Sequence, residues 1–200
     1  MGDELDRYAL HEAGHLVAAH ACGWRLHGAS VAGGAAFAGC ALAAPPVVAG
    51  HLFDGLDLDA PLMLWPCALR QRLERHVIML MAGELAVELA ARPVRLPLPV
   101  ADRAAGRARE LPAPSPQVAA RLAAVMDDPG GEPDDEAIAT LARAAHGRDH
   151  SSAATWLAHM EAQTRALLAG RLAEIERLVD VLVVRRSLDG EQVAALLERP

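Results

Sequence analysis

The run His11-Glu12-Ala13-Gly14-His15 places two imidazoles four residues apart with a carboxylate between them. On a helix, residues i and i+4 share a face, so His11 and His15 can aim ring nitrogens at one ion, as tetrahedral zinc requires at about 2.0–2.1 Å. Glu12 stands one step round, beside the ion and not on it. There it can take a proton from zinc-bound water and later return it to a leaving amine. The chemistry this spacing points to is zinc-dependent hydrolysis of a peptide bond. Three fixed positions in five also occur by chance in unrelated chains, so the surroundings decide. Small residues at Ala13 and Gly14, and apolar flanks at Leu10, Leu16 and Val17, favour the metal reading.

The motif needs a helix to carry it. Asp3 can cap one, Glu4 and Asp6 suit its first turn, and Leu5, Tyr8, Leu16 and Ala19 give apolar recurrences before Gly23 ends it. A helix from about Glu4 to Cys22 is expected. A catalytic zinc also needs a third protein ligand. The metzincin extension is excluded, because Ala18 and Ala21 stand where its Gly and His would be, and His20 lies about 140° round the helix from His15. Glu84 and Glu88 on a second helix, or Asp134 and Asp135 at the start of a later one, remain open by spacing. Asp54, Asp57 and Asp59 read as a solvated acidic loop. His146 and His150 are also four apart, but Gly147 between them makes a frayed helix end the better reading.

Between these groups the chain alternates in character. From Trp24 to Val48 small residues and glycines predict two short strands with a turn near Gly33-Gly34, Val31 and Phe37 being the strand formers. Leu69, Leu73, Val77, Leu80, Met81, Leu85 and Leu89 step by three or four from Pro66 to Arg92-Pro93 and predict a central helix. Six prolines between Pro93 and Pro116 predict a loop or linker. Asp127 to Pro133 reads as a turn leading into a helix with Asp134, Asp135 and Glu136 at its N-terminus. A long helix is expected from about Ser152 to Arg186, and Leu188-Asp189-Gly190-Glu191 turns into a short final one.

Composition removes several function classes. The chain has 200 residues, with 19 basic against 26 acidic and a formal net charge of −7, which argues against a nucleic-acid binder. With 52% hydrophobic residues it can bury a core, so global disorder is excluded. Three cysteines, Cys22, Cys40 and Cys67, with no CxxC pair are the wrong arithmetic for a disulfide scaffold or a thiolate zinc site, and point to a reducing, cytoplasmic setting. The acidic N-terminus predicts no signal peptide. The uncharged stretch from Gly28 to Gly50 is broken by glycines and Pro45-Pro46, so no membrane span is expected.

These residues together resemble the peptidase domain of the membrane-bound AAA+ zinc proteases of the FtsH type, peptidase family M41. His11 to His15 reads as that family's HEAGH. Val31 and Gly39 sit where it has a short strand and a substrate-facing Gly. Ala82 to Leu89 is similar to its GGRAAEEL, with Ala82 for the first Gly, Glu84 for the Arg and Val87 for the first Glu. Asp134 to Arg143 is similar to the segment whose opening Asp is the third zinc ligand, which implies Asp134. Leu188 to Leu197 is similar to its closing TLxGEE segment. The resemblance spans nearly the whole chain, and HEAGH is its specific part.

The departures are as informative. The chain contains no Lys, so it has no P-loop, and the family's ATPase module and transmembrane anchor are missing. Gly131-Glu132-Pro133 replaces the usual Gly-Ala-Ser-Asn lead-in.

The reading that follows is an α+β, mainly α, helical zinc-metallopeptidase domain with a small β-sheet after the HExxH helix. One domain over residues 1–200 is expected: 1–92 with the motif helix, strands and central helix; 93–116 as the Pro-rich loop; 117–200 as the helical part with the third ligand. Zn2+ would be held by His11, His15 and Asp134, with Glu12 as general base and Val31 and Gly39 at a substrate-pairing edge. The expected substrate is a flexible or unfolded polypeptide, with a separate AAA+ ATPase as a partner for folded ones. The rival readings are a non-catalytic M41-like binding module and a helical interaction protein whose HExxH is accidental.

Overall fold

In the computed structural model, residues 2–32, 40–44, 60, 62–90, 99–111, 133–147 and 149–198 are described. In chain order their elements are α1 (Gly2–Ala21), β1 (Arg25–Ser30), β2 (Cys40–Ala44), a 3-10 turn (Leu62–Leu64), α2 (Cys67–Ala90), α3 (Val100–Glu110), α4 (Asp134–His146), α5 (His150–Ala169), α6 (Leu172–Arg185), β3 (Ser187–Asp189) and α7 (Gly190–Leu197). The architecture is mainly helical with one small antiparallel sheet, the α+β, mainly α arrangement expected of the sequence. No described helix is long and apolar enough to cross a membrane.

Two compact units share the chain. The first takes Met1–Pro46, Ala82–Leu96 and Thr164–Pro200; the second takes Val47–Met81 and Pro97–Gln163.

In the first unit α1 lies against α6 and against β1 and β2. Its buried side is a near-continuous run from Glu12 to Ala19, which an apolar neighbour on several sides permits. Gly14 sets the approach of α1 to α2: a Cβ there would stand 2.6 Å from Ala86 Cβ and would also strike the Ala82 carbonyl. The sheet order is β2-β1-β3, with β1 antiparallel to both neighbours and a bulge between Leu26 and Gly28. Gly28 is held at φ 144 against the Leu188 carbonyl, a conformation and a closeness that a side chain would forbid. After α6, Arg186 takes φ 68 and its carbonyl accepts from Val31 N at 2.8 Å. Asp189 then caps α7 with a reciprocal box: Gln192 N donates to Asp189 Oδ1 at 2.9 Å, and Asp189 N donates to Gln192 Oε1 at 3.2 Å.

In the second unit the 3.6-residue pattern of α2 buries Leu69, Leu73, Val77 and Leu80, each worth about 1.5–3 kcal/mol of transfer free energy. Helix α3 packs on α4 through a stripe of Ala101, Ala104, Ala105 and Ala108. Its N-terminus has no side-chain cap from Pro99; Glu161, buried on α5, accepts from Ala101 N at 2.8 Å instead.

Three expectations need correction. The Pro93 to Pro116 stretch is not all loop, because α3 occupies its middle. The prolines fall outside that 11-residue, Ala- and Arg-rich segment, and Pro99 sits at its N-cap position, where its fixed φ is tolerated and its lack of an N–H loses no helical bond. The long helix from Ser152 to Arg186 is two helices: the chain breaks after Ala169 at Gly170 and Arg171, where Gly lowers the stability of continuing. Ser187–Asp189, expected only as a turn, forms a third strand on β1. The expected turn at Gly33-Gly34, the acidic residues 54–59 and the turn 127–132 lie outside the described residues.

Candidate metal centre

Helix α1 puts His11 and His15 about one turn apart on one face, with Glu12 next to His11, as the spacing demands. The two rings meet edge to face, centroids 4.6 Å apart at 84°, and their Nε2 atoms converge to 3.0 Å. Two nitrogens on one tetrahedral ion at 2.0–2.1 Å would stand about 3.3–3.4 Å apart, so the rings already hold nearly that separation. Glu12 and His15 are buried, which lowers the local dielectric around any charge the pair holds.

The rings can lie there because of Gly83. A Cβ at position 83 would stand 2.5 Å from His15 Nε2, 2.7 Å from His11 Cε1 and 2.8 Å from His11 Nδ1. Both imidazoles therefore occupy the space that a side chain would take. Next to it, Glu84 brings Oε1 to 4.0 Å from His11 Nδ1, the ring nitrogen other than the one facing His15.

The candidate third ligands have different neighbours. Glu88 is paired with Arg165, whose Nη2 donates to Oε2 at 2.7 Å. Glu84 lies with Oε1 4.0 Å from His11 Nδ1. At the start of α4, Arg107 from α3 binds Asp135 through Nε at 3.0 Å and Glu136 through Nη1 at 3.0 Å. That clamp engages two of the three consecutive carboxylates at the start of the helix. His11 and His15 belong to the first unit, and Asp134 belongs to the second. Asp134 is also the first residue of α4, where the helix dipole favours its charge.

The other sequence candidates fall as follows. His146 ends α4, with Gly147 at φ 54 as its C-cap and donating to Arg143 O at 2.9 Å, and His150 begins α5; the two histidines share no helix face. Asp149 between them accepts from Ser152 N and Oγ, and these hydrogen bonds hold its carboxyl below the usual range. Val31 lies one residue beyond β1, buried, with its amide bonded to Arg186 O. Gly39 lies outside the described residues. Of the cysteines, Cys22 and Cys67 are free thiols.

His76 is fully buried on α2, and burial together with the nearby Arg72 charge pushes its imidazole down to about 3.

Sequence reasoning missed what Gly83 and Arg107 do at the site. Gly83 carried a signal, since a glycine inside an otherwise strong helical run is unfavourable and calls for a packing reason. Arg107 carried none: its partners are about thirty residues away in sequence and no spacing rule links them.

No protein-family model matches the chain, and no curated protein matches it.

Proposed function

We propose that this chain is a zinc-dependent metalloendopeptidase of the M41-like type, with His11, His15 and Asp134 as metal ligands and Glu12 as general base. One observation carries the reading: the Nε2 atoms of the two helical histidines converge to 3.0 Å, with Glu12 on the same helix between them. The donor set fits zinc, being two imidazoles and a carboxylate with no thiolate, and the space left by Gly83 is what lets both rings reach it.

Zinc, when bound, supplies Lewis acidity and a water of lowered pKa. The protein's own part is proton handling and orientation. Glu12 accepts the proton as the water oxygen adds to the scissile carbonyl carbon, and returns it to the amide nitrogen as the C–N bond breaks. Burial of Glu12 keeps competing solvent from that transfer. An extended, flexible or unfolded polypeptide suits the reading. Folded substrates would fall to a separate ATPase partner, in a cytoplasmic setting.

The test is cleavage of casein by zinc-loaded protein, with Glu12→Gln as matched control. The reading expects cleavage in the wild type and a loss of at least about 100-fold in the variant while zinc stays bound. Equal cleavage in both proteins, or none in zinc-loaded wild type, contradicts it.

A further inference from the structure

We propose that Glu84 is a positioning residue for this metal centre, acting through His11 by holding its ring proton on Nδ1 so that Nε2 carries the lone pair. The inference rests on the metal-centre reading above and extends it to a residue that would not itself touch the ion.

The two ends of the His11 ring face different neighbours. Nε2 stands 3.0 Å from His15 Nε2, on the convergent side, while Nδ1 stands 4.0 Å from Glu84 Oε1. A neutral imidazole has one protonated and one basic nitrogen, and the environment of one end decides the other. A carboxylate beside Nδ1 favours the proton there, which leaves the lone pair on Nε2, where ligation needs it. At 4.0 Å the carboxylate acts by its charge, and this needs no hydrogen-bond geometry.

The ring's placement makes this relation a fixed one. Nδ1 and Cε1 of His11 lie 2.8 and 2.7 Å from where a Gly83 Cβ would be, so this edge of the ring rests on α2 at the residue preceding Glu84. The two side chains are about equally shielded, at 25% and 26% exposure, so solvent weakens the charge interaction without removing it. A carboxylate behind a metal-bound histidine fixes its orientation and raises its basicity as a ligand.

The test measures zinc affinity by chelator competition for the wild type, Glu84→Gln and Glu84→Ala. Apo melting temperatures and long-range proton–nitrogen spectra of the His11 ring accompany it. The proposal expects zinc binding weakened roughly 10–100-fold in both variants, unchanged apo melting, and a His11 proton that moves from Nδ1 to a mixture of both nitrogens. Equal affinity in all three proteins overturns it and leaves the metal centre standing. Weaker affinity with an unchanged His11 tautomer also overturns it, in favour of a merely structural role. A wild type that binds no zinc overturns the metal centre and this proposal together.

Discussion

Gly83 on α2 faces His15 on α1 so closely that a methyl group at position 83 would stand 2.5 Å from His15 Nε2. A glycine in a helix interior is unfavourable by roughly 0.5–1 kcal/mol relative to alanine, so the helix is weaker here than it could be. What occupies the vacated space is the imidazole pair.

Gly83→Ala is therefore expected to act against helix propensity. Overpacking at this position should lower stability by about 1–3 kcal/mol and weaken zinc binding by at least about 10-fold, because both rings must move. Gly106 on α3 is the control, since a Cβ there meets nothing within 4 Å. Gly106→Ala should raise stability by up to about 1 kcal/mol and leave zinc binding unchanged, as urea titration and chelator competition would read.

Asp134 and Asp135 should behave differently although they are neighbours. Asp134→Asn is expected to weaken zinc binding by at least about 100-fold, since it removes a ligand charge, whereas Asp135→Asn loses only a partly exposed ion pair with Arg107, worth about 0–1 kcal/mol. Zinc affinities of the two variants decide it; a larger loss for Asp135→Asn would reverse the assignment.

The motif helix, the central helix, the short final helix and the HExxH face were legible because each is written in local spacing. What was not legible depends on distance or on order within a composition. Counting prolines from Pro93 to Pro116 hid α3, because their positions at its edges matter more than their number. β3 is three residues long and exists by pairing with β1, a contact that local propensity does not contain. Gly170 offered a signal for the break between α5 and α6, which the apolar periodicity on both sides masked. Spacing left Asp134 and Asp135 open, and the pairing of Arg107 with Asp135 is a tertiary relation that spacing does not contain.

Glu161→Ala should cost about 1–2 kcal/mol, because it removes the acceptor that satisfies Ala101 N at the uncapped start of α3. Urea unfolding reads this directly. A change under about 0.3 kcal/mol would mean that solvent replaces the lost acceptor without penalty.

His76 makes acid stability testable. Its imidazole is pushed down to about 3 in the folded chain from an ordinary 6.5, so below pH 6.5 the unfolded state takes up a proton that the folded state does not. The stability it contributes is fully present above pH 6.5 and falls as the pH drops towards 3, by about 2 kcal/mol at pH 5. Urea unfolding at pH 7.5 and pH 5, compared between wild type and His76→Gln, should show a smaller acid loss in the variant. Equal losses would place the acid sensitivity elsewhere.

The most direct measurement of the central claim is X-ray absorption at the zinc edge, on protein loaded with zinc and freed of excess. The account predicts one zinc per chain, with nitrogen and oxygen neighbours at about 2.0–2.1 Å, two of them imidazoles, and no sulfur. Failure to retain zinc, or a sulfur shell at about 2.3 Å implicating the cysteines, would contradict it.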